Sequence, residues 1–119
     1  MAVSETSTSE SLVNVLRDTI VALVRLDGPD LSARQLGVLL ICYLESDAQT
    51  VRGLADALEV TKPVISRALD RLADFDLVRR KVDPTDRRSV LVQRTPTGTG
   101  YLKDIRTILR AASKSKTHR

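Results

Sequence analysis

The feature that most constrains this chain is a pair of helical stretches separated by almost nothing. Thr50 offers an N-cap to a short helix whose buried face is Val51, Leu54, Ala55 and Leu58. Val60 then sits in a tight turn, and Thr61 opens the next helix, its hydroxyl placed to accept from the amide of Val64. Pro63 is tolerated there because first-turn amides have no intrahelical partner. Ile65, Leu69 and Leu72 fall on one face of this second helix with Ala68 beside them. Lys62, Pro63, Ser66, Arg67 and Asp70 fall on the other.

A hairpin pattern comes next in the chain. Leu77–Val82 and Val90–Thr95 are β-branched and partly alternating, and the turn-rich Asp83-Pro84-Thr85-Asp86-Arg87-Arg88 between them predicts an extended loop. Thr95-Pro96 opens a last helix over residues 96–112 with the stripe Leu102, Ile105, Ile108, Leu109 and Ala112. Upstream, Ser32 with Gln35 makes a capping box and Leu31 with Leu36 a hydrophobic staple, starting a helix that runs to about Glu45. Ser11 to Asp27 forms another helix, ended by Gly28-Pro29. Its stripe of Leu12, Val15, Leu16, Thr19, Ile20, Leu23 and Leu26 is widened by Val13, Val21 and Val24, so it needs burial on two sides. The polar residues 1–10 and the basic tail 113–119 are expected to be disordered. The fold class is mainly α with a small β-hairpin wing, in one domain of modest core.

Charge divides the chain more sharply than its net +4 suggests. Residues 1–60 hold 4 basic and 9 acidic groups, and residues 61–119 hold 15 and 6. A basic half suits a polyanion, since each neutralised phosphate releases condensed counterions. Other classes find no residues to carry them. No apolar run approaches the roughly 18 residues of a membrane span, and Met1–Ser11 lacks the pattern of a signal peptide. One cysteine, Cys42, and one histidine, His118, make neither a disulfide nor a zinc site, and no cofactor is expected. No Ser/His/Asp or Cys/His set and no glycine-rich phosphate loop can be built, which argues against an enzyme. The expected setting is cytoplasmic and nucleoid-associated.

Two helices joined by a tight turn and leading into a basic hairpin can grip duplex DNA. The second helix enters the major groove by its N-terminal half, and the hairpin reaches phosphates or the minor groove. The candidate DNA-binding residues are therefore Thr61, Lys62, Pro63, Ser66, Arg67 and Arg71 on the helix and Asp86, Arg87 and Arg88 on the wing. Arg67 suits a bidentate contact to guanine, Lys62 a phosphate, and Ser66 or Thr61 either. Asp86 is close enough in sequence to pair with Arg88 and aim it, and Arg79, Arg80 and Lys81 add charge to the strand leading in. The plainer alternatives are that Lys62, Arg67 and Arg71 form the solvated face of an amphipathic helix and that the hairpin is merely solvated. A further rival is a winged helix used for protein contact, as an accessory or anti-repressor subunit. RNA binding is disfavoured because Tyr43, Phe75 and Tyr101 supply no aromatic platform.

The stretch Leu31–Leu102 resembles the MarR family of bacterial regulators. The resemblance is carried by Leu54–Pro63, by Val64–Leu72, and by Asp83–Val92, which holds the family's wing signature Asp-Pro-x-Asp-Arg-Arg, with Thr95-Pro96-x-Gly98 after it. It implies a winged helix-turn-helix over residues 31–95 and a homodimer on a pseudo-palindromic operator, usually a repressor relieved by a ligand or oxidant of unknown identity. It assigns base contact to Ser66 and Arg67, minor-groove insertion to Arg88, and an orienting salt bridge to Asp86. The dimer is expected to close through residues 11–30 and 96–112, using Leu12, Leu16, Ile20, Leu23, Ile105, Ile108 and Leu109.

The sequence also departs from the family. Glu59 and Asp76 stand where the family usually has glycine, at positions that favour positive φ. The last helix looks short for a dimerisation helix, which leaves little room for a ligand pocket. Cys42 could sense oxidants as in some relatives, but no basic residue near it in sequence lowers its pKa, so a buried inert thiol is the simpler reading. Asn14, Arg17 and Arg25 are either a ligand or dimer contact or the solvent edge of their helix.

Overall fold

The computed structural model describes residues 5–117, with side chains from 8 to 114. The chain runs α1 (Glu5–Arg25), α2 (Ala33–Leu44), β1 (Gln49–Thr50), α3 (Val51–Leu58), α4 (Lys62–Asp74), β2 (Val78–Asp83), β3 (Asp86–Arg94) and α5 (Pro96–Thr117). Among the described residues these form two compact units. One is α1 with α5 from Lys103 onward, and the other is Leu31–Leu102.

Local signals build the 31–102 unit. Ser32 Oγ accepts from the Gln35 amide at 3.1 Å, and Gln35 Oε1 accepts from the Ser32 amide at 2.9 Å, so the capping box is formed in both directions. Thr50 Oγ1 accepts from the Gly53 amide at 2.9 Å and starts α3. Thr61 departs from expectation. It is the N-cap residue of α4, but its hydroxyl makes no capping bond, and its carbonyl receives the amides of Val64 and Ile65 instead. Val38, Leu39, Leu54, Ile65, Leu69, Leu72, Leu77 and Val78 are fully buried and tie α2, α3 and α4 to the sheet.

Two helix ends carry left-handed residues that are not glycine. Glu59 has φ 56° and Asp76 φ 57°. Each sits in a Schellman arrangement, with the amide of Val60 donating to Ala55 O at 3.0 Å and that of Leu77 to Leu72 O at 2.9 Å. The two turns thus swing the chain from α3 into α4 and from α4 into β2.

The sheet has three strands rather than the two of a bare hairpin, in the order β1-β3-β2. Gln49 pairs with Val92 and Thr50 with Leu91, so β3 is the central strand. The wing is also tighter than the sequence suggests. Only Pro84 and Thr85 separate β2 from β3. Asp83 Oδ1 accepts from the amide and hydroxyl of Thr85 at 2.9 and 2.8 Å, and these bonds hold its carboxyl below the usual pKa. Val82 pairs with Val90 but Asp83 with Asp86, so Arg87, Arg88 and Ser89 form a bulge in β3 instead of a loop tip.

The terminal unit is longer than expected at both ends. Helix α1 begins at Glu5, so the disorder expected for residues 1–10 does not hold from residue 5 on, and residues 1–4 lie outside the described residues. Extending an existing helix is easier than nucleating one. Helix α5 runs to Thr117, past the boundary expected at 112, so the two terminal helices are 21 and 22 residues long and α5 is not short. The tail expected to be loose from residue 113 is helical as far as Thr117, and residues 118–119 lie outside the described residues.

Candidate nucleic-acid interface

Helix α4 presents its first half outward because Ile65, Ala68, Leu69 and Leu72 are held inward. Thr61, Lys62, Pro63 and Arg67 are exposed, and Ser66 is half-buried. A cleft of about 550 Å³ opens beside this half, lined by Thr50, Val51 and Arg52 of β1 and α3, Lys62 and Ser66 of α4, and Asp86, Arg88, Ser89 and Val90 of β3. Three cations from three elements share it with one carboxylate. The structure thus brings together Lys62, Ser66, Asp86 and Arg88, and adds Arg52, which the sequence reading missed. Its signal was available: Arg52 occupies the exposed face of amphipathic α3 in its first turn.

Other candidates stand elsewhere. Arg67 lines a separate, smaller cleft on the α2 side of α4. Arg71 lies over the Phe75 ring, 4.7 Å from its centroid, away from the cleft. Arg87 is exposed on the bulge. Of the strand cations, Arg80 is paired with Asp70 at 2.6 Å and Arg79 with Asp76 at 3.4 Å.

Asp86 shapes the bulge rather than pairing with Arg88. Its Oδ1 accepts from the Arg88 amide at 3.1 Å and its Oδ2 from the Ser89 hydroxyl at 3.2 Å. No ion pair joins it to the Arg88 guanidinium among the described residues. A carboxylate already engaged by backbone and hydroxyl at the start of a bulge fixes the path of the chain, and Arg88 is aimed by that path.

Arg94 is a structural cation that sequence reading did not single out. Its Nε donates to Cys42 O at 2.9 Å and its guanidinium to Glu45 O, closing the C-terminus of α2 where carbonyls lack helical partners. It also lies over the Tyr43 ring. Cys42 therefore does have a basic neighbour, but burial outweighs it and pushes the thiol up to about 11. No group of three or more His, Cys, Asp or Glu side chains is placed to hold a metal among the described residues, and none of their helices is long and apolar enough to cross a membrane.

The helix-turn-helix, the three-stranded sheet with its bulged wing, and the flanking helices define a winged helix-turn-helix protein. The sequence profile of the MarR family matches residues 30–89, half of the chain. The chain belongs to the MarR family of winged helix-turn-helix transcriptional regulators. It is 33% identical over 75 residues to the HTH-type transcriptional regulator MhqR of Bacillus subtilis (strain 168), covering 63% of this chain and 51% of that one. It thus spans about half the length of this curated relative. Among solved structures it shares the fold of the transcriptional regulator Tm0710 from Thermotoga maritima, with a TM-score of 0.80 and 20% identity over 96% of this chain and 78% of that one. It also shares the fold of MepR of S. aureus in the MepR–DNA complex, with a TM-score of 0.70 and 21% identity over 93% and 86%.

Proposed function

We propose that this protein is a homodimeric, sequence-specific regulator of transcription that binds double-stranded DNA, most simply as a repressor on a pseudo-palindromic operator. The observation that carries the reading is the cleft in which Arg52, Lys62 and Arg88 converge beside Ser66. In this reading the first half of α4, from Thr61 to Arg67, enters the major groove, and Arg88, with Arg87 beside it, reaches the minor groove from the bulge. The solved MepR–DNA complex, which has the same fold, supports a DNA partner. A nucleoid-associated place in the cytoplasm goes with that partner.

The dimer is supported by α1. Leu12, Leu16, Ile20 and Val24, four residues apart, share one helix face, and the first two and the last are 64%, 60% and 72% exposed in the single chain. Leu109 is also exposed, while Leu23 and Ile108 are half-buried. Ile105 is buried within the protomer. A small-molecule effector, in this reading, acts by changing how the DNA-binding units of the two protomers are spaced.

Titration of a labelled duplex from the protein's own promoter region tests the reading. Binding should weaken steeply with salt, and Arg88→Ala should weaken it further and flatten the slope by about one unit. Sedimentation should give twice the 13.1 kDa chain mass, shifting to the monomer in Leu16→Glu. Wild-type affinity and salt slope in both Arg88→Ala and Lys62→Ala would leave the cleft with no part in DNA binding.

A further inference from the structure

The smaller cleft beside α4 has a composition that the recognition helix alone does not explain. It holds about 200 Å³ and is lined by Ser32, Arg34, Gln35, Val64, Arg67 and Ala68. None of the six is acidic. Ser32 and Gln35 are bonded to one another through the capping box, and neither Arg34 nor Arg67 belongs to an ion pair among the described residues. Two guanidiniums of like charge on one small cleft repel each other, and an anion between them reverses the sign of that interaction.

The position of the cleft says which anion. At about 100° per residue, Lys62 and Ser66 lie on one side of α4, and Val64, Arg67 and Ala68 lie nearly opposite. The first pair opens onto the cleft shared with the wing, and the second set onto the cleft shared with α2. Helix α4 is therefore flanked by cations on both sides. A helix seated in the major groove is likewise flanked by two sugar-phosphate strands, bordering a groove about 12 Å wide.

We infer that Arg34 and Arg67 together hold a backbone phosphate of one strand, while Arg52 and Lys62 serve the other. The inference rests on the proposed binding of duplex DNA and changes one role within it. Arg67, which family resemblance assigns to a base, becomes a phosphate contact, and Arg34 of α2 joins the interface. Base reading then falls to Thr61 and Ser66 with their neighbours at the helix start.

The test uses fluorescence anisotropy with two labelled duplexes, one of random sequence and one recovered by selection from a random library. Arg34→Gln should weaken both duplexes by the same factor and lower the salt slope by about 0.9, the value for one phosphate contact on B-DNA. Arg34→Lys, which keeps the charge, should retain the slope. Arg67→Gln should behave like Arg34→Gln. Both side chains are exposed, so thermal melts of the variants should overlay that of the wild type. Wild-type affinity and slope in Arg34→Gln would overturn the clamp while leaving DNA binding intact. A loss in Arg67→Gln confined to the selected duplex would also overturn it, by restoring Arg67 to base reading. A wild-type protein that binds neither duplex would overturn the DNA-binding reading itself, and the clamp with it.

Discussion

Asp70 on the exposed side of the recognition helix is joined to Arg80 on the first wing strand by an ion pair of 2.6 Å, the shortest among the described residues. It links α4 to the wing, the two elements on whose placement the proposed DNA contact depends. The two side chains remain 59% and 35% exposed, so solvent screens the pair and its worth to stability is small. Asp70→Asn should lower the unfolding free energy by no more than about 1 kcal/mol in urea titration. A double-mutant cycle with Arg80→Gln should show a coupling of that size or less, fading as salt is added. A larger, salt-independent coupling would mean the pair is desolvated in solution.

Gly98 should not tolerate a side chain. Its amide donates to Thr95 Oγ1 at 2.9 Å in the first turn of α5, and a Cβ there would collide with the Tyr43 hydroxyl and the Leu77 carbonyl. Those two groups are themselves bonded at 2.6 Å, so neither can easily give way. Gly98→Ala should cost about 1–3 kcal/mol by overpacking, read from the melting temperature. Adding Tyr43→Phe should recover only part of it, because the Leu77 carbonyl is backbone. Full recovery would show that the carbonyl is not the obstacle.

The two left-handed residues should respond unequally to glycine. Glu59 has an exposed side chain with no hydrogen bond or ion pair among the described residues, so Glu59→Gly should stabilise the fold by about 0.5–1 kcal/mol through relief of its φ of 56°. Asp76 uses its carboxylate to accept from Thr97 Oγ1 at 3.1 Å and from Arg79 at 3.4 Å. Asp76→Gly loses both contacts and should gain less or nothing. Equal gains at the two sites would show that the Asp76 bonds contribute nothing.

The buried thiol predicts a pH dependence at the alkaline end. Cys42 titrates near its ordinary 9.0 when the chain is unfolded and at about 11 when folded. Between those values the folded state holds a proton that the unfolded state has lost, so stability falls as pH rises from about 9 to 11 and is unaffected by this group below that window. Cys42→Ala should be less stable at neutral pH but show a shallower decline across the window. In the native protein at pH 8, Cys42 should resist iodoacetamide until denaturant is added. Rapid native alkylation would reopen an oxidant-sensing role.

These sites differ in how far the sequence reveals them, and the difference comes from range. The Ser32–Gln35 capping box and the Thr50 cap are legible because donor and acceptor lie three residues apart. Glu59 and Asp76 are legible as departures from glycine at fixed places in a motif. The Asp86–Arg88 relationship is half-legible: the residues interact, but through the Arg88 amide rather than its guanidinium, since turn backbone competes for the carboxylate. Strand β1 is two residues long and exists only by pairing with Val92 and Leu91, about 40 positions away, so no local pattern announces it. Arg94 closing α2, and Arg34 and Arg67 lining one cleft, depend in the same way on packing between distant segments.

The bulge at Arg87–Ser89 has a consequence for how such a wing can vary. From Val82↔Val90 to Val78↔Arg94 the ladder is continuous, and Val78 and Val92 anchor it in the core. A one-residue slip there would turn the buried side chains outward. The three bulged residues oppose no partner, so a residue added or removed among them changes the reach of the tip without moving that register. The wing is therefore a fixed stem carrying an exchangeable head, whose length can change while the register of the stem is kept.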